Sequence, residues 1–152
     1  MKPGIHVPVT AIPDYDFYFS FVRNPYDRIV SAYFYRQRGN ARVPMQNYIP
    51  HFHKWLMEDT IRADMVVDEV FRPMVHYLDA PIDFIGRFEN LQEDFDRVCK
   101  LIGLEPKRLI RDNVCDHPPW RELLDEAELA RVYELYREDF ESFGYERVTS
   151  VN

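Results

Sequence analysis

FYFSFVRNPYDRIVSAYFY, Phe17 to Tyr35, changes its period halfway along. Phe17 to Val22 alternates aromatic with small or apolar residues, the pattern of a buried strand. Asn24 suits a helix N-cap and Pro25 suits the first helical position, where a missing N–H costs nothing. Ile29, Val30, Tyr33 and Phe34 then fall on one face at helical spacing, and Gly39 is placed to end the helix. The stretch predicts strand, tight corner, helix. Arg23 stands at the corner, and Ser31 follows eight residues later. The first N–H groups of a helix lack intrahelical partners and sit at its positive end, so an arginine beside them completes a phosphate grip. Ser31 could add a hydroxyl from the same side as Asp27 and Arg28. In the plainer alternative, Arg23 pairs with a nearby carboxylate and Ser31 is a small residue on a packed face. Spacing alone favours that alternative.

Outward from this corner the chain reads as alternating segments. Residues 1–14 carry Pro3, Pro8 and Pro13 and form an extended lead-in, with IHVPV a short edge strand. A loop over 40–50 precedes helical segments near 51–58 and 61–78. PIDFIGRF, Pro81 to Phe88, is a second strand. The following helix places Leu91, Phe95, Val98 and Ile102 on one face and ends at Gly103. After a loop over 105–119, a final helix from Asp125 to Phe140 buries Leu129, Val132, Tyr133 and Tyr136. Gly144 ends that unit. Two clear strands are few for an α/β sheet.

The 152 residues suit one domain spanning 1–152, with a core over 15–147. Hydrophobic residues make up 46% and aromatics 15%, so the chain can bury a core rather than stay disordered. A net charge of −7 argues against a general nucleic-acid binder but leaves room for a local cluster of cations. Of the 19 basic residues only Lys2, Lys54, Lys100 and Lys107 are lysines. The arginine excess fits bidentate pairing with carboxylate or phosphate, and equally a surface habit. Cys99 and Cys115 make no framework and read as free thiols of a reducing, cytoplasmic setting. No segment has the length and apolarity of a membrane span, and no leader pattern opens the chain.

Several motifs are missing or weak. No two of Gly4, Gly39, Gly86, Gly103 and Gly144 lie close enough to build a glycine-rich phosphate loop. His51 and His53 would share a face only on a strand, and their segment is helical, so no metal site is expected. Asp14, Asp16 and the run Glu89, Glu93, Asp94, Asp96 read as caps and solvated surface. Tyr48, Phe52, Trp55 and Tyr77 could stack on sugars, but their helical spacing favours core packing.

FSFVRNPYDRIVSAYFY resembles the 3′-phosphate-binding segment of sulfotransferases, the enzymes that use 3′-phosphoadenosine-5′-phosphosulfate. That segment is a strand, then Arg-(Asp/Asn)-Pro, then a helix with a serine eight residues after the arginine. IDFIGRFENLQEDFDRVCKLIGL, Ile82 to Leu104, resembles a later strand-helix unit of the carbohydrate-sulfotransferase-like branch. YREDFESFGY, Tyr136 to Tyr145, resembles that branch's closing segment. Three segments in the right order make the resemblance specific and reverse the reading of Arg23.

The resemblance implies an α/β fold of the three-layer P-loop type, here incomplete, helix-rich and with a small parallel sheet. It implies that Arg23 and Ser31 grip the 3′-phosphate of 3′-phosphoadenosine-5′-phosphosulfate or of adenosine 3′,5′-bisphosphate. Arg87 ends the second strand, where α/β folds place ligands. It is either a further site residue or the partner of Glu89 or Glu93. The implied activity is sulfuryl transfer to a hydroxyl or amine, on a carbohydrate acceptor. No stretch before Arg23 matches the family's 5′-phosphosulfate loop, whose lysine and N–H donors stabilise charge on the leaving phosphate. His6 is the one histidine ahead of Arg23, where the family keeps its base; a solvent-exposed lead-in residue is the plainer reading. The chain thus resembles a fragment or short relative that holds half a cofactor site. A non-catalytic phosphate binder and an oligomeric structural remnant are the alternatives. An unpaired strand edge would favour a homo-oligomer, expected as a dimer.

Overall fold

The structure, a computed structural model, describes residues 16–38, 43–110 and 116–151. The predicted strand in the lead-in, His6, Gly39 and Cys115 lie outside the described residues. In chain order the elements are β1 (Phe19–Val22), α1 (Pro25–Gln37), α2 (Ile49–Met57), α3 (Ile61–Val67), β2 (Phe84–Arg87), α4 (Leu91–Leu101), α5 (Trp120–Leu123), α6 (Glu126–Leu135) and α7 (Arg137–Phe143). The two strands pair in parallel, Phe19 opposite Phe84 and Val22 opposite Arg87. The fold is α/β and helix-rich, with a small parallel sheet. Two compact units emerge. One is drawn from Met1–Asn24 and Met74–Asp112, the other from Pro25–Pro73 and Asn113–Asn152.

The first unit holds both strands and α4. Its tightest point is Gly86 on β2. A Cβ there would stand 2.5 Å from Cε1 of Phe21 on β1 and 3.0 Å from Cβ of Asp94 on α4. Only glycine lets the Phe21 ring and α4 close over that strand. Entry to β2 is fixed by Asp83, whose carboxylate accepts from the Tyr18 N–H at 2.8 Å. The strand expected to be buried is only partly so: Val22 is 2% exposed but Phe19 is 43% exposed. With one neighbour strand among the described residues, β1 gains cover on one edge alone. The apolar stripe expected on α4 is also shifted. Val98 is buried, but beside it lie Asp94 and Cys99, while Ile102 falls at the C-cap and is exposed. A backbone N–H from β2 recruits Asp94 inward, which turns the helix.

The second unit is built on an aromatic core. Ile29, Val30, Tyr33 and Phe34 of α1 are all buried, as their spacing predicts. Phe52 of α2 meets Tyr33 and Phe34, with ring centroids at 5.1 and 5.8 Å. Tyr26 stacks on Trp120 at 4.8 Å and meets Phe140 edge-on at 4.9 Å. Its hydroxyl donates to the Val148 carbonyl and accepts from the Val148 N–H, and burial pushes its phenol above the usual tyrosine range. Tyr48 and Trp55 pack against this core, so those aromatics serve packing. Arg28 donates from Nη2 to the carbonyls of Val70 and Arg72, at 3.0 and 2.6 Å.

Two predicted helices are broken, the first by a local turn and the second where a contact is made at a distance. The segment expected as helix over 61–78 stops at Val67. Asp68 turns extended, its carboxylate accepts from the Val70 N–H, and Pro73 has no N–H to continue a helix. Single 3₁₀ turns at Glu69–Phe71 and Met74–Tyr77 follow. The final helix starts with a full capping box between Asp125 and Glu128. It breaks at Tyr136 (φ −118°, ψ 24°), whose hydroxyl donates to the Phe71 carbonyl at 2.6 Å. α7 then runs to Gly144, left-handed at φ +62°. The short helix α5 lies between the predicted 105–119 loop and the final helix, where the sequence reading names no element, and its Trp120 and Leu123 join the core.

Candidate functional site

The site is assembled from the carboxyl ends of the two strands. Arg87 is the last residue of β2 and pairs with Val22; Arg23 directly follows Val22. Both arginines therefore leave the same edge of the parallel sheet, the edge where such sheets present ligands. Both are half-buried. The Arg23 guanidinium lies over the Phe88 ring, 4.4 Å from its centroid. This contact orients the cation. The Arg23 N–H points to Sδ of Met74 at 3.4 Å.

Carboxylates hold the backbone on both sides. Glu89 Oε1 accepts from the Asn24 N–H at 2.6 Å. Asp94 Oδ2 accepts from the Arg87 N–H at 2.7 Å, and its Oδ1 accepts from Arg97 Nη1 at 2.9 Å. Asp94 is 5% exposed. The sequence reading took both carboxylates for solvated surface or caps; Glu89 is exposed, but the buried Asp94 corrects that reading. No local pattern signals them, because the amide that Glu89 serves is 65 residues away.

Ser31 belongs to the second unit, half-buried on α1 between the buried Val30 and Ala32. Arg28, on the side of the helix that the sequence reading gave to Ser31, spends its Nη2 on two backbone carbonyls and lies 5.8 Å from the Tyr136 ring centroid. It is a structural cation. His53 of α2 carries a contact the sequence does not reveal: its Nδ1 meets Oε1 of the buried Glu128 at 2.5 Å. The other oxygen of Glu128 accepts from the Asp125 N–H, so this carboxylate both closes the capping box and orients the imidazole. Among the described residues no three His, Cys, Asp or Glu side chains gather as a metal site needs. Nor is any helix among them long and apolar enough to cross a membrane.

A family model described as "Sulfotransferase family" matches residues 9–146, which include both strands, the Arg-Asn-Pro corner and α1 to α7. The chain belongs to the sulfotransferase family. A protein of Archaeoglobus fulgidus, described as an uncharacterized protein, is 31% identical over 106 residues, which cover 70% of this chain and 83% of that relative. No solved structure matches the chain. The match places Arg23, Ser31 and Arg87 within the family's span, and the chain is a sulfotransferase-like protein.

Proposed function

We propose that the chain binds the 3′-phosphate end of 3′-phosphoadenosine-5′-phosphosulfate through Arg23 and Arg87; Ser31 is the further contact that the family resemblance implies. The supporting observation is the pair of arginines carried by adjacent parallel strand ends, half-buried and with their backbones clamped. Guanidinium forks in such a setting match a phosphate bidentately, with charge-assisted hydrogen bonds. The donor supplies the sulfuryl group, and the acceptor is a hydroxyl or amine on a carbohydrate. No stretch of the printed sequence matches the phosphosulfate loop, so the chain alone supplies the 3′ grip and not the leaving-group electrophile.

Calorimetry with adenosine 3′,5′-bisphosphate against 5′-AMP tests this. The bisphosphate should bind preferentially, and Arg23→Ala should weaken it about tenfold or more, since a hydrogen bond to a charged group contributes roughly 1.5–3 kcal/mol. Equal affinity for both nucleotides, or an Arg23→Ala variant that binds like wild type, sinks the reading. A second reading, a nucleotide-binding module without catalysis, is favoured by the unmatched loop. It is separated by labelled sulfate transfer, which we expect to be absent for this chain alone. We further propose a cytoplasmic homodimer, because each strand is bonded to only one other among the described residues. A single monomeric species by sedimentation at micromolar concentration would remove the dimer.

A further inference from the structure

We infer that Glu89 and Asp94 are the positioning residues of the anion site, one for each arginine. This rests on the 3′-phosphate reading above. The two carboxylates lie on one short stretch, the 3₁₀ turn Phe88–Asn90 and the first turn of α4. Glu89 reaches across to β1 and takes the Asn24 N–H, the amide that follows Arg23. Asp94 turns back to β2 and takes the N–H of Arg87 itself. A single segment thus fixes the carboxyl ends of both strands.

The physical consequence concerns geometry. A carboxylate accepting a backbone N–H at 2.6–2.7 Å is a charge-assisted bond, shorter and about twice as strong as a neutral one. It sets the peptide plane beside each arginine and hence the direction in which the side chain leaves the sheet. Between the two clamps Phe88 supplies the ring on which the Arg23 guanidinium rests. Gly86 completes the arrangement, because its missing Cβ lets Asp94 approach the strand at all. Preorganised donors lose less entropy on binding, which is where the affinity gain arises.

Glu89 is the residue to test, because it is exposed, whereas removing the buried Asp94 carboxylate can unfold the unit. Glu89→Ala and Glu89→Gln are compared in the full chain, by calorimetry with adenosine 3′,5′-bisphosphate and 5′-AMP and by thermal melting. Glu89→Ala should weaken the bisphosphate about tenfold and also lower the melting temperature, since the lost amide contact helps to tie this unit. Glu89→Gln keeps an acceptor oxygen without the charge and should stay within about twofold of wild type. Affinity for 5′-AMP should not follow the series. In the free protein, the amide proton shift of Asn24 should move upfield in the Ala variant and hold in the Gln variant. An Ala variant that binds as well as wild type, or more tightly, overturns the positioning role; tighter binding would make Glu89 a competitor of the ligand. A Gln variant as weak as the Ala variant overturns it too, since charge would then matter rather than geometry. Wild-type chain that binds neither nucleotide removes the 3′-phosphate reading and this role together, and is seen before any variant is made.

Discussion

The two units solve stability in opposite ways. The unit drawn from Pro25–Pro73 and Asn113–Asn152 rests on interlocked rings, with Tyr26, Phe34, Phe52 and Tyr136 all at or below 1% exposure. The unit that carries the strands has far fewer fully buried apolar side chains among its described residues, Val22, Met74, Val98 and Cys99. It is tied by carboxylates on backbone amides and by one glycine contact. The hydrophobic gain from burying the aromatic rings is non-directional, whereas a carboxylate on an amide fixes a direction. The comparison teaches that rigidity for its own sake and rigidity for aim come from different chemistry. The arginines sit on the directional side.

The strongest way to break this contrast is Phe34→Ala. It should cost about 3–5 kcal/mol, the usual penalty for truncating a buried phenylalanine, and lower the urea midpoint sharply. A loss under about 1 kcal/mol would show that the aromatic unit is not the stabilising one. Gly86→Ala tests the other side. Its added methyl must displace the Phe21 ring or α4, so overpacking should cost about 1–3 kcal/mol by chemical melting. Bisphosphate binding should fall by more than that stability loss alone explains, because Asp94 is pushed from the Arg87 amide. Wild-type affinity in a folded Gly86→Ala chain would detach the clamp from the site. The smallest effect belongs to Arg36→Ala, which removes an exposed pair with Asp68. Surface pairs of this kind contribute about 0.5 kcal/mol or less, so the melting temperature should barely move.

What the sequence makes legible is local. Asn24 and Pro25 mark the start of α1, and the four apolar residues of its face are all buried, because period and caps act within a few residues. The residue types at Arg23, Ser31 and Arg87 are likewise visible, and the resemblance assigns them a role. Most of what stays hidden depends on partners far along the chain, and one stop depends on a local turn that overrides the period. The break at Tyr136 follows from its hydroxyl finding the Phe71 carbonyl, 65 residues away. The stop at Val67 follows from Asp68 capping its own turn, against an apolar period that continues. The register that puts Val22 beside Arg87 cannot be read from either strand alone. Glu89, Asp94 and the His53–Glu128 pair look like ordinary surface charge until their acceptors and donors are located.

The interleaving of the two units carries a consequence for synthesis. Every residue of the strand-bearing unit has been made once Asp112 is made. The aromatic unit has by then contributed Tyr26, Phe34, Phe52 and Ile61, but Leu129, Val132, Tyr136 and Phe140 are still to come. A ribosome-bound chain of that length holds a finished set of sheet and clamp residues and an uncovered row of aromatics.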